Sequence, residues 1–219
     1  MPLMTENLMN PENRPDAPRR RNRKGEDTRR RILEAAVTCL KDQGYAACSV
    51  EAVMQTAGLS RGSVLNQFAT RLDLMAGAAD HAMQHMIADS SQRMNHIEGA
   101  REKLFRHVDV IWESQQIPEA SAVTEILLAS RWDHDLADRL KDVVRTIEHN
   151  IDHFVGDVAR QAGISRIEEY QLHVRVLVLS LRGIAIERMF DNDRDIMQRA
   201  LERIRQMHER QCHRLLESG

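Results

Sequence analysis

Between Asp27 and Leu40 the apolar residues Ile32, Leu33, Ala36, Val37 and Leu40 recur at intervals of three and four, which sets them on one face of a helix. Gly44 ends that run, as a left-handed cap does. Ser49 then precedes Val50, Val53, Met54 and Ala57, with Gly58 closing a second, shorter helix. Ser60 is placed to N-cap a third, which carries Val64, Leu65 and Phe68. After Arg71 the repeat lengthens. The spacing predicts helices over about 71–95, 100–116, 119–131, 134–161, 166–190 and 192–217, with breaks at Gly99, Pro118, Asp133, Gly163 with Ser165, and Asp191. The expected fold is all-α with about nine helices, three short ones followed by six long ones.

One segment departs from a simple amphipathic stripe. "LHVRVLVLSLRGIAIERMF", residues 172–190, is apolar over more of its circumference than a helix with one wet face requires. It needs two apolar neighbours: the chain's own core and a second copy of the chain, with Gly183 permitting close helix approach, or else full burial within one monomer.

Composition agrees with the pattern. Aromatic residues make up 4% of the chain, and the abundant residues are those that lose least on entering a helix. No apolar run approaches the ~20 residues needed to span a bilayer, and the polar, basic N-terminus has no apolar segment behind it. Neither a membrane anchor nor a signal peptide is expected, and the expected location is cytoplasmic. Cys39, Cys48 and Cys212 form no CxxC pair and read as free thiols. Residues 1–25 hold Pro2, Pro11, Pro15 and Pro18 with little apolar content, so a disordered basic arm is expected there, ending in "RRRNRK", Arg19 to Lys24.

The formal net charge of -2 conceals a segregation. Residues 19–75 carry 11 Lys or Arg against 6 Asp or Glu, while residues 76–219 carry 19 against 24. A positive module on a negative body is what a protein needs if one end alone is to meet phosphates. The Arg19–Lys24 run suits either a minor-groove arm, diffuse attraction to DNA, or a solubilising tail.

The stretch "QTAGLSRGSVLNQFATRLDL", Gln55 to Leu74, joins two short helices by a tight glycine turn, the arrangement that presents a second helix to the major groove. Leu59, Val64 and Phe68 would pin that helix inward, leaving Arg61, Ser63, Leu65, Asn66 and Gln67 outward. Arg to guanine, Asn or Gln to adenine, and Leu to a thymine methyl are contacts the groove offers.

Other chemistry is poorly supported. His81 with His85, and His149 with His153, lie at i and i+4 with Asp80, Glu148 and Asp152 nearby, yet no HExxH motif or recurring ExxH pair accompanies them, so no metal is expected. There is no GxSxG elbow, Walker loop or GxGxxG, and neither an enzymatic activity nor a cofactor is expected.

"RRRILEAAVTCLKDQGYAACSVEAVMQTAGLSRGSVLNQFATRLDLM", Arg29 to Met75, resembles the N-terminal domain of the tetracycline-repressor (TetR) family. The matching features are Gly44-Tyr45 after a first helix, Ser49-Val50 opening a second, Ala57-Gly58-Leu59-Ser60, Gly62 with Phe68, and Arg71 with Leu74. The resemblance implies three parts: the arm over 1–25, a helix-turn-helix DNA-binding domain over 26–72, and a ligand-binding and dimerisation domain over 73–219. It also implies a homodimer through the last two helices and a palindromic double-stranded DNA operator. Release by a small-molecule effector completes the pattern. Carried onto this chain, Arg61, Ser63, Leu65, Asn66 and Gln67 meet bases, and Ser49, Thr70 and Arg71 meet phosphates. The effector pocket is expected among Met83, Met86, Phe105, His107, Trp112, Leu127, Leu128, Trp132, Phe154, Arg175, Val176 and Arg182. The chain departs from the family pattern at Leu65 and Gln67, where an aromatic pair is usual, and at Met54, where alanine is usual. These departures motivate the alternative of an all-α ligand- or metal-sensing protein that has lost sequence-specific DNA binding.

Overall fold

The computed structural model of the chain describes residues 17–191 and 194–217, and side chains from residue 23 onward. Among the described residues all regular structure is helical: α1 (Ala17–Ala47), α2 (Val50–Ala57), α3 (Arg61–Leu65), α4 (Arg71–Asn95), α5 (Ala100–Ser114), α6 (Pro118–Ala129), α7 (His134–Ala162), α8 (Ile167–Glu187) and α9 (Asp195–Glu217). No described helix is long and apolar enough to cross a membrane.

The helix ends follow local chemistry. Ser49, Ser60, Thr70 and Asp133 each accept a hydrogen bond from the backbone N–H three residues on, capping α2, α3, α4 and α7. Gly58 closes α2 in the left-handed conformation, at φ 62° and ψ 39°. Gly44, at φ 77° and ψ 170°, lies in a region that glycine alone occupies at no cost, and it turns the chain out of α1.

One boundary differs markedly from expectation. The basic arm was expected over 1–25 with a first helix from Asp27; residues 1–16 lie outside the described residues, but α1 already runs from Ala17. The Arg- and Lys-rich run is made of good helix formers, Pro18 sits in the first turn where its missing N–H costs nothing, and helix then propagates from the strongly packed segment after Arg31.

Two apolar clusters fill the interior. The upper one joins α1, α2, α3 and α4 to α6 and the first half of α7, with Ile32, Leu40, Val53, Val64, Leu74, Met75, Ile126 and Leu136 fully shielded. The lower one joins the end of α4, α5, the second half of α7, α8 and α9 around Leu104, Tyr170, Leu181 and Leu215. The apolar core does not divide after Arg71: Val64 and Phe68 share one cluster with Ala78, Val123 and Ile147. Movement of α4 or α6 is therefore felt by the first three helices through close-packed side chains.

Candidate functional site

The short α3 stands at the surface with Arg61, Leu65 and Asn66 exposed, Ser63 and Gln67 half-buried, and Val64 and Phe68 turned into the core. Arg61 meets Glu51 of α2 at 2.7 Å, an exposed pair that holds the guanidinium loosely in solvent. Ser63 shares a 2.9 Å hydrogen bond with the capping Ser60. Ser49 and Thr70 spend their hydroxyls as caps, and Thr70 also donates to Asp73 at 2.8 Å.

Arginines fix this module from behind. Arg31 donates to the Ala57 carbonyl at 2.9 Å, and Arg29 donates to the Gln67 carbonyl at 3.3 Å while lying 4.3 Å above the Phe68 ring. Both place a cation at the C-terminal side of a short helix, where the backbone carbonyls lack helical partners. Arg71 stacks 4.3 Å over Tyr45 and donates to the Cys48 carbonyl at 2.9 Å and to the Tyr45 carbonyl. Its fork is thus spent inside the chain. Sequence reasoning counted Arg29 and Arg31 only as charge, because nothing in the sequence shows which carbonyl a long side chain reaches.

Tyr45 ties the module to the body. Its backbone N–H donates to Glu125 Oε2 of α6 at 3.0 Å, and its hydroxyl bonds to Asp133 at 3.2 Å. Arg139 of α7 meets Asp73 of α4 at 2.6 Å. On α4, Gly77 lies directly beneath Phe68: a Cβ there would stand 2.8 Å from the ring.

The body holds a half-open cavity of about 430 Å³ between α4, α5, α6, α7 and α8. Of the residues expected to line a pocket, Met83, Met86, His107, Leu127, Phe154, Arg175 and Arg182 do so. The other five do not. Phe105 packs against His213 at 4.9 Å, and Trp112 lies beneath Arg188 in the lower cluster. Leu128, Trp132 and Val176 point outward, Trp132 being 81% exposed. Periodicity identified which positions are apolar, but on helices that are apolar on two sides it does not tell inward from outward. Also missed as lining were the polar Ser90, Ser114, Gln115 and Glu148, which carry no pattern signal, and apolar residues such as Val123, Ile147 and Val178, whose periodicity reads as ordinary core.

Behind the cavity runs a chain of buried polar groups. His107 bonds to the Tyr170 hydroxyl at 2.8 Å; His173 and His208 stack with a 3.0 Å hydrogen bond; His208 Nε2 donates to the Leu104 carbonyl at 2.9 Å. Burial pushes His107 down to about 3 and His173 to about 4, and raises the Tyr170 hydroxyl well above its usual value. These imidazoles are neutral. Cys39, Cys48 and Cys212 are free and buried, with Cys48 and Cys212 pushed up to about 12 by burial, which makes them poor nucleophiles. His81 and His85 stack on α4 with His85 against Glu119 at 3.1 Å, and His153 meets Asp157 at 3.3 Å. No group of three His, Cys, Asp or Glu among the described residues is placed to hold a metal.

Residues 32–78 match the model of bacterial regulatory proteins of the tetR family. The chain is 25% identical over 189 residues to the HTH-type transcriptional regulator CymR of Pseudomonas putida, a match that covers 84% of this chain and 91% of that one. It is 24% identical over 126 residues, 58% of its length, to an uncharacterised HTH-type transcriptional regulator of Mycobacterium tuberculosis, and spans 65% of that relative's length. A transcriptional regulator from Rhodococcus sp. Rha1 has the same fold, with a TM-score of 0.63 at 18% identity, covering 87% of this chain and 96% of that one. A glycine-hinged pair of short helices, at matching positions, makes residues 32–78 a DNA-binding domain of the tetR family type, carried at the N-terminal end of an all-helical body whose fold is that of transcriptional regulators.

Proposed function

We propose that the chain is a cytoplasmic, ligand-responsive repressor, not an enzyme, that binds a palindromic operator as a homodimer and leaves it when a small molecule fills the cavity. The observation that carries this reading is the direct packing of α3 on a cavity helix: Phe68 rests on Gly77 of α4, whose Met83, Met86 and Ser90 line the cavity two to four turns further on. Arg61, Leu65 and Asn66 are the base-reading side chains, with Ser63 and Gln67 beside them. Ser49 and Thr70 flank the backbone at the N-termini of α2 and α4. The second copy docks on α8 and α9, where Leu172, Val176 and Leu179 form an exposed apolar stripe that continues to Gly183, with Ile196 and Met207 exposed on α9. An occupant of the cavity shifts the population of α4 orientations and with it the separation of two α3 helices that must meet half-sites about one helical turn apart.

Selection of bound duplexes from random-sequence DNA at two salt concentrations tests this. Enrichment of a palindrome with two half-sites is the expected result. Binding without enrichment, vanishing uniformly as salt rises, overturns it and leaves a helical sensor that no longer reads sequence.

A further inference from the structure

The two arginines of the cavity are not paired alike. Arg175 and Arg182 stand seven residues, two turns, apart on α8 and both line the cavity. Arg175 is met from α7 by Glu148 at 3.6 Å and by Asp152 at 3.1 Å. Arg182 has no such company: among the described residues it makes no ion pair and no side-chain hydrogen bond. Burial, and Arg175 beside it, both work against its charge, yet a guanidinium does not give up its proton in a protein. A half-buried guanidinium that faces an apolar cavity without a counter-ion is held at a cost, which a bound anion relieves. The rest of the wall is mainly apolar, formed by Met83, Met86, Leu127, Ile147, Phe154 and Val178.

We infer that the cavity binds a small apolar monoanion, a carboxylic acid of one ring system or a medium-length chain, with its carboxylate on Arg182 and its body against the methionines of α4 and Phe154 of α7. The assignment rests on the reading of the cavity as an effector site and adds the chemical class. A planar guanidinium takes a carboxylate through two parallel hydrogen bonds, a geometry that neither an alcohol nor an amide reproduces. Arg175 is already held by two carboxylates, so Arg182 is the guanidinium left to meet a ligand, and one guanidinium fork takes one carboxylate. The volume, about 430 Å³, lies at the small end of the roughly 300–1,000 Å³ range of ligand pockets and suits a compact ligand body.

The test compares matched acids and amides on the full chain without DNA: octanoate against octanamide, and 2-naphthoate against 2-naphthamide, by calorimetry and thermal shift at pH 7.5. The acid of at least one pair binds about tenfold or more tightly than its amide, and Arg182→Gln lowers acid affinity to that of the amide. Equal binding of acid and amide in both pairs, or no binding by any of the four, overturns the assignment, and either result is read on the unmutated protein. If Arg182→Gln does not fold, Arg182→Met replaces it. An acid that binds in this way but leaves the operator complex intact refutes release by the ligand and leaves the anion assignment standing. A neutral compound that releases DNA while acids do not bind has the opposite meaning.

Discussion

Replacing Arg71 by alanine separates two roles for the same charge. If Arg71 holds a DNA phosphate, its loss weakens binding and leaves the fold intact. The structure instead commits the guanidinium to the Cys48 and Tyr45 carbonyls and to the face of the Tyr45 ring, at the corner where α1, α2 and α4 meet. Hydrogen bonds from a charged donor contribute about 1.5–3 kcal/mol each, and a cation–π contact about 0.5–1 kcal/mol. Arg71 is only half-buried, so solvent screening and access of water to the freed carbonyls reduce the net loss to about 2–4 kcal/mol. For a chain of this size that corresponds to a fall in Tm of about 4–16 °C. Arg71→Lys recovers less than half, because an ammonium does not span two carbonyls as a fork does. Thermal unfolding gives the first readout, and the salt dependence of duplex binding by the folded variant gives the second. A Tm within about 1 °C of wild type, with a log–log salt slope reduced by about 0.9, is the signature of one lost phosphate contact and would refute the staple.

Three further outcomes follow from the packing. Gly77→Ala improves helix propensity by up to about 1 kcal/mol but drives a methyl into Phe68 at a cost of about 1–3 kcal/mol, so α3 is displaced; operator affinity falls about tenfold, and unchanged affinity in a binding titration contradicts the close contact. His107 and His173 are depressed to about 3 and about 4, while unfolded imidazoles protonate near 6.5, so the unfolded chain takes up protons first. Stability is full above about pH 6.5 and declines as pH falls toward about 4, and urea unfolding of His107→Gln shows a slope shallower by about one proton; equal slopes show that His107 is not held neutral. Val176→Glu puts a charge on the exposed stripe of α8, away from the cavity lining, and yields a monomer by analytical ultracentrifugation, with specific duplex binding lost; an unaltered dimer moves the interface elsewhere.

Much of the fold was legible because its signals are local. The start and end of α4, predicted at 71 and 95, are set by Thr70 as cap and by the run's own periodicity, and Gly58 and Gly163 stop α2 and α7 where only a left-handed residue suits. The start of α1 was not legible. A polar, basic segment with prolines reads as unstructured when taken alone, and becomes helix only by extending one that is already nucleated and packed. The cavity was legible in part for a different reason. Met83, Met86 and Phe154 lie on faces whose partners could be guessed, whereas Trp132, Val176 and Leu128 differ from them only in which neighbour they meet. Contacts such as Tyr45 with Glu125, 80 residues apart, carry no sequence signature without the fold.

That contact bears on how a ligand's presence reaches the DNA-binding domain. On α6, Val123 and Leu127 line the cavity while Glu125, two residues from each and on the other side of the helix, accepts the Tyr45 N–H. On α4, Met83 and Met86 line the same cavity while Gly77 supports Phe68. The cavity therefore addresses the first three helices by two routes, one at the α1–α2 corner and one under α3. Tyr45 joins them, since the same residue that bonds to α6 carries Arg71, the first residue of α4, on its ring. A shift of α4 alone strains the Arg71–Tyr45 stack, and a shift of α6 alone strains the Tyr45–Glu125 bond. The state that satisfies both moves α4 and α6 together, carrying the recognition module as one body. Under the proposed function a ligand needs only a modest preference for one joint position of the two helices, and the close-packed upper core would turn that preference into a change in α3 spacing across the proposed dimer.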